Sequence, residues 1–276
     1  MIYVMADIHG CYEEYIALLK KIDFSDDDEL FVLGDVVDRG PEPIKVLQDM
    51  MMRPNVYPVL GNHDYMALKV LKKLCVVIEE DNVEDHLSAD DLMDYMFWIQ
   101  DGGKTTADKF QKLTMEEKED ILEYLQEFTL YEVIFSGNKR FVLAHADLHG
   151  YNKSADKSRV NLEVELKSKS EWILNSELDL QSEPDLNECL EQMDFSDFIF
   201  YRADYGKRYF EDKNTFLVTG HTPTFKIRED QQAVVYEKNG HIAVDCGCVY
   251  GGKLAVYCID NGKVEYVDNE RTVLVE

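Results

Sequence analysis

Short apolar runs alternate with segments of helical period through the first third of the chain. Residues 2–6, 30–33 and 56–60 are unbroken apolar runs of strand length, while 12–22 and 65–74 repeat their apolar positions at helical spacing. Pro41 stands where a helix start accepts proline, with Ile44, Val46, Leu47 and Met50 following at helical intervals. Unbroken apolar strands separated by helices predict a parallel sheet covered on both faces. Residues 79–130 leave this rhythm. The acidic run over 79–94 reads as a solvated face. Leu92, Met93, Met96 and Phe97, then Ile121, Leu122, Leu125 and Phe128, predict a helical insertion.

Strand signals return at 131–135 and 141–144, joined by Ser136-Gly137-Asn138-Lys139 as a hairpin turn. Residues 150–200 carry a basic excess (Lys153, Lys157, Arg159, Lys167, Lys169), then an acidic part over 177–197, then Phe195, Phe198, Ile199 and Tyr201 as an apolar helix. This stretch reads as a cap over a site or as a solvated insertion. The tail is strand-rich, at 215–218, 233–236, 241–244, 254–259 and 264–267, with Asn239-Gly240 and Asn261-Gly262 as two-residue turns. These strands predict a largely antiparallel sheet packed against the first. No repeat or linker divides the chain, so 1–276 reads as a single α/β domain with the insertion and cap built into it.

A hydrophobic content of 45% with 30% charged residues fits a soluble globular protein, and no apolar run reaches the roughly 20 residues that span a bilayer. The opening run leads straight into Asp7 with no basic segment before it, which reads as a first strand of a cytoplasmic protein rather than a signal peptide. Six scattered cysteines (Cys11, Cys75, Cys189, Cys246, Cys248, Cys258) form no Cys-x-x-Cys pair, so buried thiols are expected rather than a zinc knuckle or disulfide framework. A net charge of −26 excludes a non-specific nucleic-acid binder and repels phosphorylated ligands unless a strong local positive field opposes it.

Three blocks carry candidate chemistry: Asp7-Ile8-His9-Gly10, Gly34-Asp35-Val36-Val37-Asp38-Arg39-Gly40 and Gly61-Asn62-His63-Asp64. Each follows an apolar run and precedes a helical pattern. Asp7, Asp35 and Asn62 are spaced by 28 and then 27 positions, about one strand-helix-strand unit each. They therefore emerge at one sheet edge, where open α/β folds bind ligands. His145 follows the apolar run 141–144, and Gly220-His221-Thr222-Pro223 follows 215–218, so four of the seven histidines stand at strand ends. That set suits two divalent metals acting on phosphate, and two dications would supply the positive field that the charge demands.

In these motifs the sequence resembles the calcineurin-like metallophosphoesterases, within them the phosphoprotein phosphatase branch of bacterial and phage serine/threonine phosphatases. The resemblance covers residues 2–75, 139–147 and 215–257. It implies two packed mixed β-sheets flanked by helices, an αββα sandwich. It further implies that Asp7 and His9 bind a first metal, that Asp35 bridges both, and that Asn62, His145 and His221 complete the second. Manganese is the expected ion, with iron, zinc, nickel or magnesium as alternatives. The family's chemistry is in-line attack by a metal-bridging hydroxide, with His63 as general acid oriented by Asp38, and Arg39 and Arg202 holding phosphate. Thr222-Pro223 stands where many relatives carry a further histidine, which leaves the first metal with fewer protein ligands.

The expected activity is hydrolysis of phosphomonoesters, foremost phosphoserine and phosphothreonine in proteins. The alternative is a symmetrical bis(5'-nucleosyl)-tetraphosphatase, in which the carboxylate of Asp38 tends to be lacking. A vestigial scaffold would have lost a ligand, and all six positions are filled. Expected partners are a phosphorylated protein or small phosphoester, with neither nucleic acid nor membrane. Three departures bear on substrate choice: Asp64 in place of glutamate, Ala146-Asp147 after His145, and Asp245-Cys246-Gly247-Cys248 before Tyr250. His149 reads as a loop residue, His241 as exposed beside a turn, and His86 as solvated.

Overall fold

Strand length and strand pairing account for the apolar runs. In the computed structural model, which describes residues 1–75, 88–148, 190 and 193–269, strands β1 (Ile2–Met5), β2 (Glu29–Leu33) and β3 (Val56–Val59) pair in parallel. Helices α1 (Tyr12–Lys21), α2 (Pro43–Met51) and α3 (Asn62–Leu74) follow them in turn. The α2 start lies at Pro43, two positions beyond the expected proline, and α3 begins at Asn62 itself, which places a candidate ligand in a first helical turn.

The sheet is covered on both faces, but by different layers. Met5, Leu30 and Val32 join Leu18, Leu47 and Leu71 in the core beneath the helices. Their neighbours Val4, Phe31 and Leu33 instead meet Phe141, Leu143 and Val218 of a second sheet. Period-2 alternation thus divides each uninterrupted apolar run between two cores.

Sheet membership corrects the expectation for the tail. β9 (Lys253–Cys258) and β10 (Val264–Asp268) form a hairpin that joins the first sheet, with β9 antiparallel to β1, giving the order β10-β9-β1-β2-β3. The second sheet runs β4-β5-β6-β8-β7, from β4 (Tyr131–Ser136), β5 (Lys139–Ala144), β6 (Thr215–Thr219), β7 (Tyr236–Lys238) and β8 (His241–Ala243). It is mixed rather than largely antiparallel: β5-β6 and β6-β8 are parallel, β4-β5 and β7-β8 antiparallel. The Asn239-Gly240 turn forms with both residues at positive φ, as a two-residue hairpin requires.

The insertion is helical where it is described. α4 (Ala89–Trp98) starts with a Ser88–Asp91 capping box, one π-type turn (Ile99–Gly103) leads into α5 (Lys104–Phe110), and α6 (Met115–Gln126) starts with a Thr114–Glu117 box. The expected apolar helix near 195 is α7 (Phe195–Ile199), which lies over Val142, Ala144 and Leu217 on the outer face of the second sheet. A last short helix, α8, spans Thr224–Ile227. The expected cap over 150–200 falls largely outside the described residues, as do His86, His149 and Cys189. Among the described residues no helix is long and apolar enough to cross a membrane.

His241 is a correction. It is fully buried, because β8 lies between β6 and β7 and the 205–209 segment covers it. Its ring stacks on Tyr205 at 4.5 Å and its Nε2 pairs with Thr219 Oγ1 at 2.8 Å. Burial lowers its pKa to about 3.

Candidate active site

The C-terminal ends of β1, β2, β3, β5 and β6 converge, and backbone hydrogen bonds lock their loops together. Asp7 N donates to Gly34 O (3.1 Å), His9 N to Asp35 O (2.8 Å) and Gly220 N to His145 O (2.9 Å). Gly61 is required by close approach, since a Cβ there would overlap the backbone and carboxylate of Asp35. Among the described residues nine non-glycine positions have positive φ, and six of them are Asp7, His9, Asp35, Asp38, Arg39 and His221. Backbone strain is concentrated where the candidate chemistry lies.

Asp35 is the centre. Its Oδ2 lies 3.5 Å from His9 Nε2 and its Oδ1 3.5 Å from His145 Nε2, so one carboxylate faces two separate groups of donors. On one side stand His9, Asp35 and His63, on the other Asp35, His145 and His221. Asn62 Oδ1 is 3.1 Å from both His145 Nε2 and His221 Nδ1, which are 3.2 Å apart. About 3 Å is the separation of neighbouring ligands around an ion with bonds of about 2.1 Å.

The histidines have the neutral, oriented rings that could hold a metal. Nδ1 of His9 donates to Val37 O (2.9 Å) and Nδ1 of His145 to Leu33 O (2.8 Å), so each Nε2 presents a lone pair to the site. Burial lowers the pKa values of His9, His145 and His221, the last to about 3, keeping the rings neutral. Burial, Asp245 and Asp35 together raise Asp7. The Arg39 guanidinium donates to the His9 lone pair at 2.7 Å, so that nitrogen already faces a cation. Buried carboxylates, bare imidazole nitrogens and an amide oxygen at ligand spacing fit two divalent cations.

Asp7 is placed differently from the rest. Both of its oxygens accept from His221 N (3.1 and 2.9 Å), and the three-residue group that includes His9 takes His63 in its place.

His63 Nδ1 pairs with Asp38 Oδ2 at 2.8 Å. Asp38 is fixed by the insertion: Trp98 Nε1 donates to Oδ2 (2.8 Å) and Thr106 Oγ1 to Oδ1 (2.6 Å). Burial disfavours a charged His63 ring, but Asp35, Asp101 and Asp38 outweigh it and push the pKa up to about 10. Arg39 Nη2 lies 2.6 Å from His63 Nε2 and 3.2 Å from Asp101 Oδ1. Arg202 reaches the far side, with Nη1 3.4 Å from Thr222 Oγ1 beside His221.

The three departures have structural roles. Asp64 accepts from the backbone N–H groups of Val36, Val37 and Gly61 (3.0, 3.3 and 3.1 Å), tying the second motif to the third. Asp147 accepts from Tyr209 Oη. Asp245 is buried, accepts from Gly247 N (2.8 Å), and burial pushes its pKa up to about 7.

Residues 1–267 match the model of the family described as calcineurin-like phosphoesterase. The chain belongs to that family. Among similar calcineurin-like proteins, the "Bis(5'-nucleosyl)-tetraphosphatase, symmetrical" of Wigglesworthia glossinidia brevipalpis is 35% identical over 115 residues, 41% of this chain and 42% of the relative. The protein of the same name from Erwinia tasmaniensis is 36% identical over 115 residues, again 41% and 42%. The matched stretch spans less than half the length of either relative. A solved structure described as a candidate diadenosine tetraphosphatase aligns with a TM-score of 0.55 over 97% of this chain and 92% of its own, at 22% identity, a likeness of fold.

No motif in the sequence marks Trp98, Asp101 and Thr106, because their region reads as an ordinary amphipathic insertion. The available signal is Trp98, one of only two tryptophans, four positions before the Gly102-Gly103 break.

Proposed function

We propose that this calcineurin-like chain hydrolyses phosphoesters at a dinuclear divalent-metal centre held by Asp7, His9, Asp35, Asn62, His145 and His221. We further propose a dinucleoside polyphosphate as its substrate, cleaved symmetrically, as the names of its relatives indicate. The carrying observation is Asp35, whose two oxygens face His9 and His145 separately. When bound, the cations supply positive charge to the phosphate oxygens and lower the pKa of water. Manganese is the ion we favour. Arg39 and Arg202 approach from opposite sides to hold phosphate oxygens. His63 donates a proton from Nε2 to the leaving oxygen while Asp38 accepts from Nδ1 and fixes the ring.

One observation favours the second reading, phosphoserine or phosphothreonine in proteins. A nucleoside diphosphate leaves as a weak base, whereas an alkoxide needs a proton. The His63–Asp38 pair, with Asp38 anchored by Trp98 and Thr106, suits the latter. Purified protein loaded with Mn²⁺ is assayed on diadenosine tetraphosphate, a phosphoserine peptide and p-nitrophenyl phosphate. Metal-dependent release of two nucleoside diphosphates at the highest kcat/KM supports the first reading. Preference for the peptide supports the second, and no turnover of any substrate rejects both.

A further inference from the structure

Asp101 lies outside every motif, yet its carboxylate reaches both groups that flank the proposed phosphate position. Oδ1 accepts from Arg39 Nη2 at 3.2 Å, and Oδ2 lies 3.3 Å from His63 Nε2. Its side chain is 53% exposed, whereas His63 is buried, so Asp101 stands between the acid and the solvent from which substrate arrives.

The turn that carries Asp101 is shaped around Arg39. Gly102 O accepts from Arg39 N at 3.0 Å, and Asp101 O accepts from Arg39 Nε at 3.4 Å. Gly102 has φ +109, and a Cβ there would come within 2.6 Å of Arg39 Cγ. Backbone and side chain of one turn thus grip the same arginine, and the backbone of Asp101 is anchored beside it.

A carboxylate and one edge of a phosphate present the same face to a guanidinium and an imidazole: two acceptor oxygens carrying negative charge. We propose that Asp101 is a specificity-determining residue, whose carboxylate occupies the anion position between Arg39 and His63 and must give way to any phosphate that binds. The proposal rests on the reading of Arg39 and His63 as phosphate-handling groups. Displaced but tethered to its turn, the carboxylate stays beside the bound phosphate and repels it. Repulsion grows with the charge of the substrate, so Asp101 penalises a tetraphosphate more than a monoester. Residue 101 thereby sets the balance between the two substrate classes.

The test uses Mn²⁺-loaded protein, inorganic phosphate titrated by calorimetry, and steady-state kinetics on p-nitrophenyl phosphate and diadenosine tetraphosphate. Asp101→Asn is expected to tighten phosphate binding and lower KM by about 3- to 10-fold while kcat changes less than KM. The ratio of kcat/KM for tetraphosphate over monoester should rise. Asp101→Glu keeps the charge and should bind phosphate as the natural protein does. Unchanged or weakened phosphate binding in Asp101→Asn overturns the proposal, weakening meaning that Asp101 only braces Arg39. An unmoved ratio, or no phosphate binding by the natural protein, overturns it too. A natural protein that binds phosphate but hydrolyses neither substrate rejects the functional reading, and the calorimetry then decides Asp101 on its own.

Discussion

The site has two halves with different origins. The ends of β1, β2, β3, β5 and β6 supply the carboxylates, amide and imidazoles, held by strained loops and by cross-loop hydrogen bonds. The helical insertion supplies Trp98, Asp101 and Thr106, which touch Asp38, Arg39 and His63 rather than any of the six proposed ligands. Only the first half needs rare residue types at set strand ends. The second needs hydrogen-bond donors and a charge of common kinds, delivered by helices that can vary. The candidate metal ligands thus lie at the sheet ends, while the side chains that hold the proposed acid come from the insertion.

Three substitutions break or sharpen that division. Asp35→Asn removes charge from the carboxylate facing both donor groups, and should cut turnover by at least about 10³-fold, with bound manganese lost in elemental analysis. Asp38→Asn should keep its metal but lower kcat by about 10²-fold. Because Asp38 is one of the carboxylates that raise the His63 pKa, its loss lowers that pKa. The ring is protonated and active below its pKa, so the alkaline fall of the rate profile should move to lower pH in this variant. Trp98→Phe keeps an aromatic side chain at this buried position, though a smaller one, and deletes one donor to Asp38, so kcat should fall by about 2- to 10-fold with metal content unchanged. A Trp98→Phe protein that loses metal would show that the halves are not separate.

Legibility in the sequence follows the same line. The strand ends were readable because Asp7, Asp35, Asn62, His145 and His221 each follow an apolar run, and strand direction carries them to one edge. The insertion was readable as helix but not as site, since a tryptophan and a threonine at helical spacing look like core and cap. Sheet membership of the tail was lost for another reason. The hairpin at Asn261-Gly262 is a local signal, but pairing β9 with β1 rather than with β8 depends on contacts between opposite ends of the chain. His241 was misplaced because a turn beside a strand says nothing about what covers the strand, here Tyr205 and Tyr209.

The pairing of β1 with β9 also bears on how the protein is made. β1 precedes Asp7 and His9, and its outer edge stays bare until Lys253–Cys258 has left the ribosome. Until then the nascent chain carries an open strand edge able to pair with another chain. Closure then waits on a long-range encounter, which slows assembly. Any chain interrupted upstream of Lys253 would lack its closing strand and be prone to aggregate.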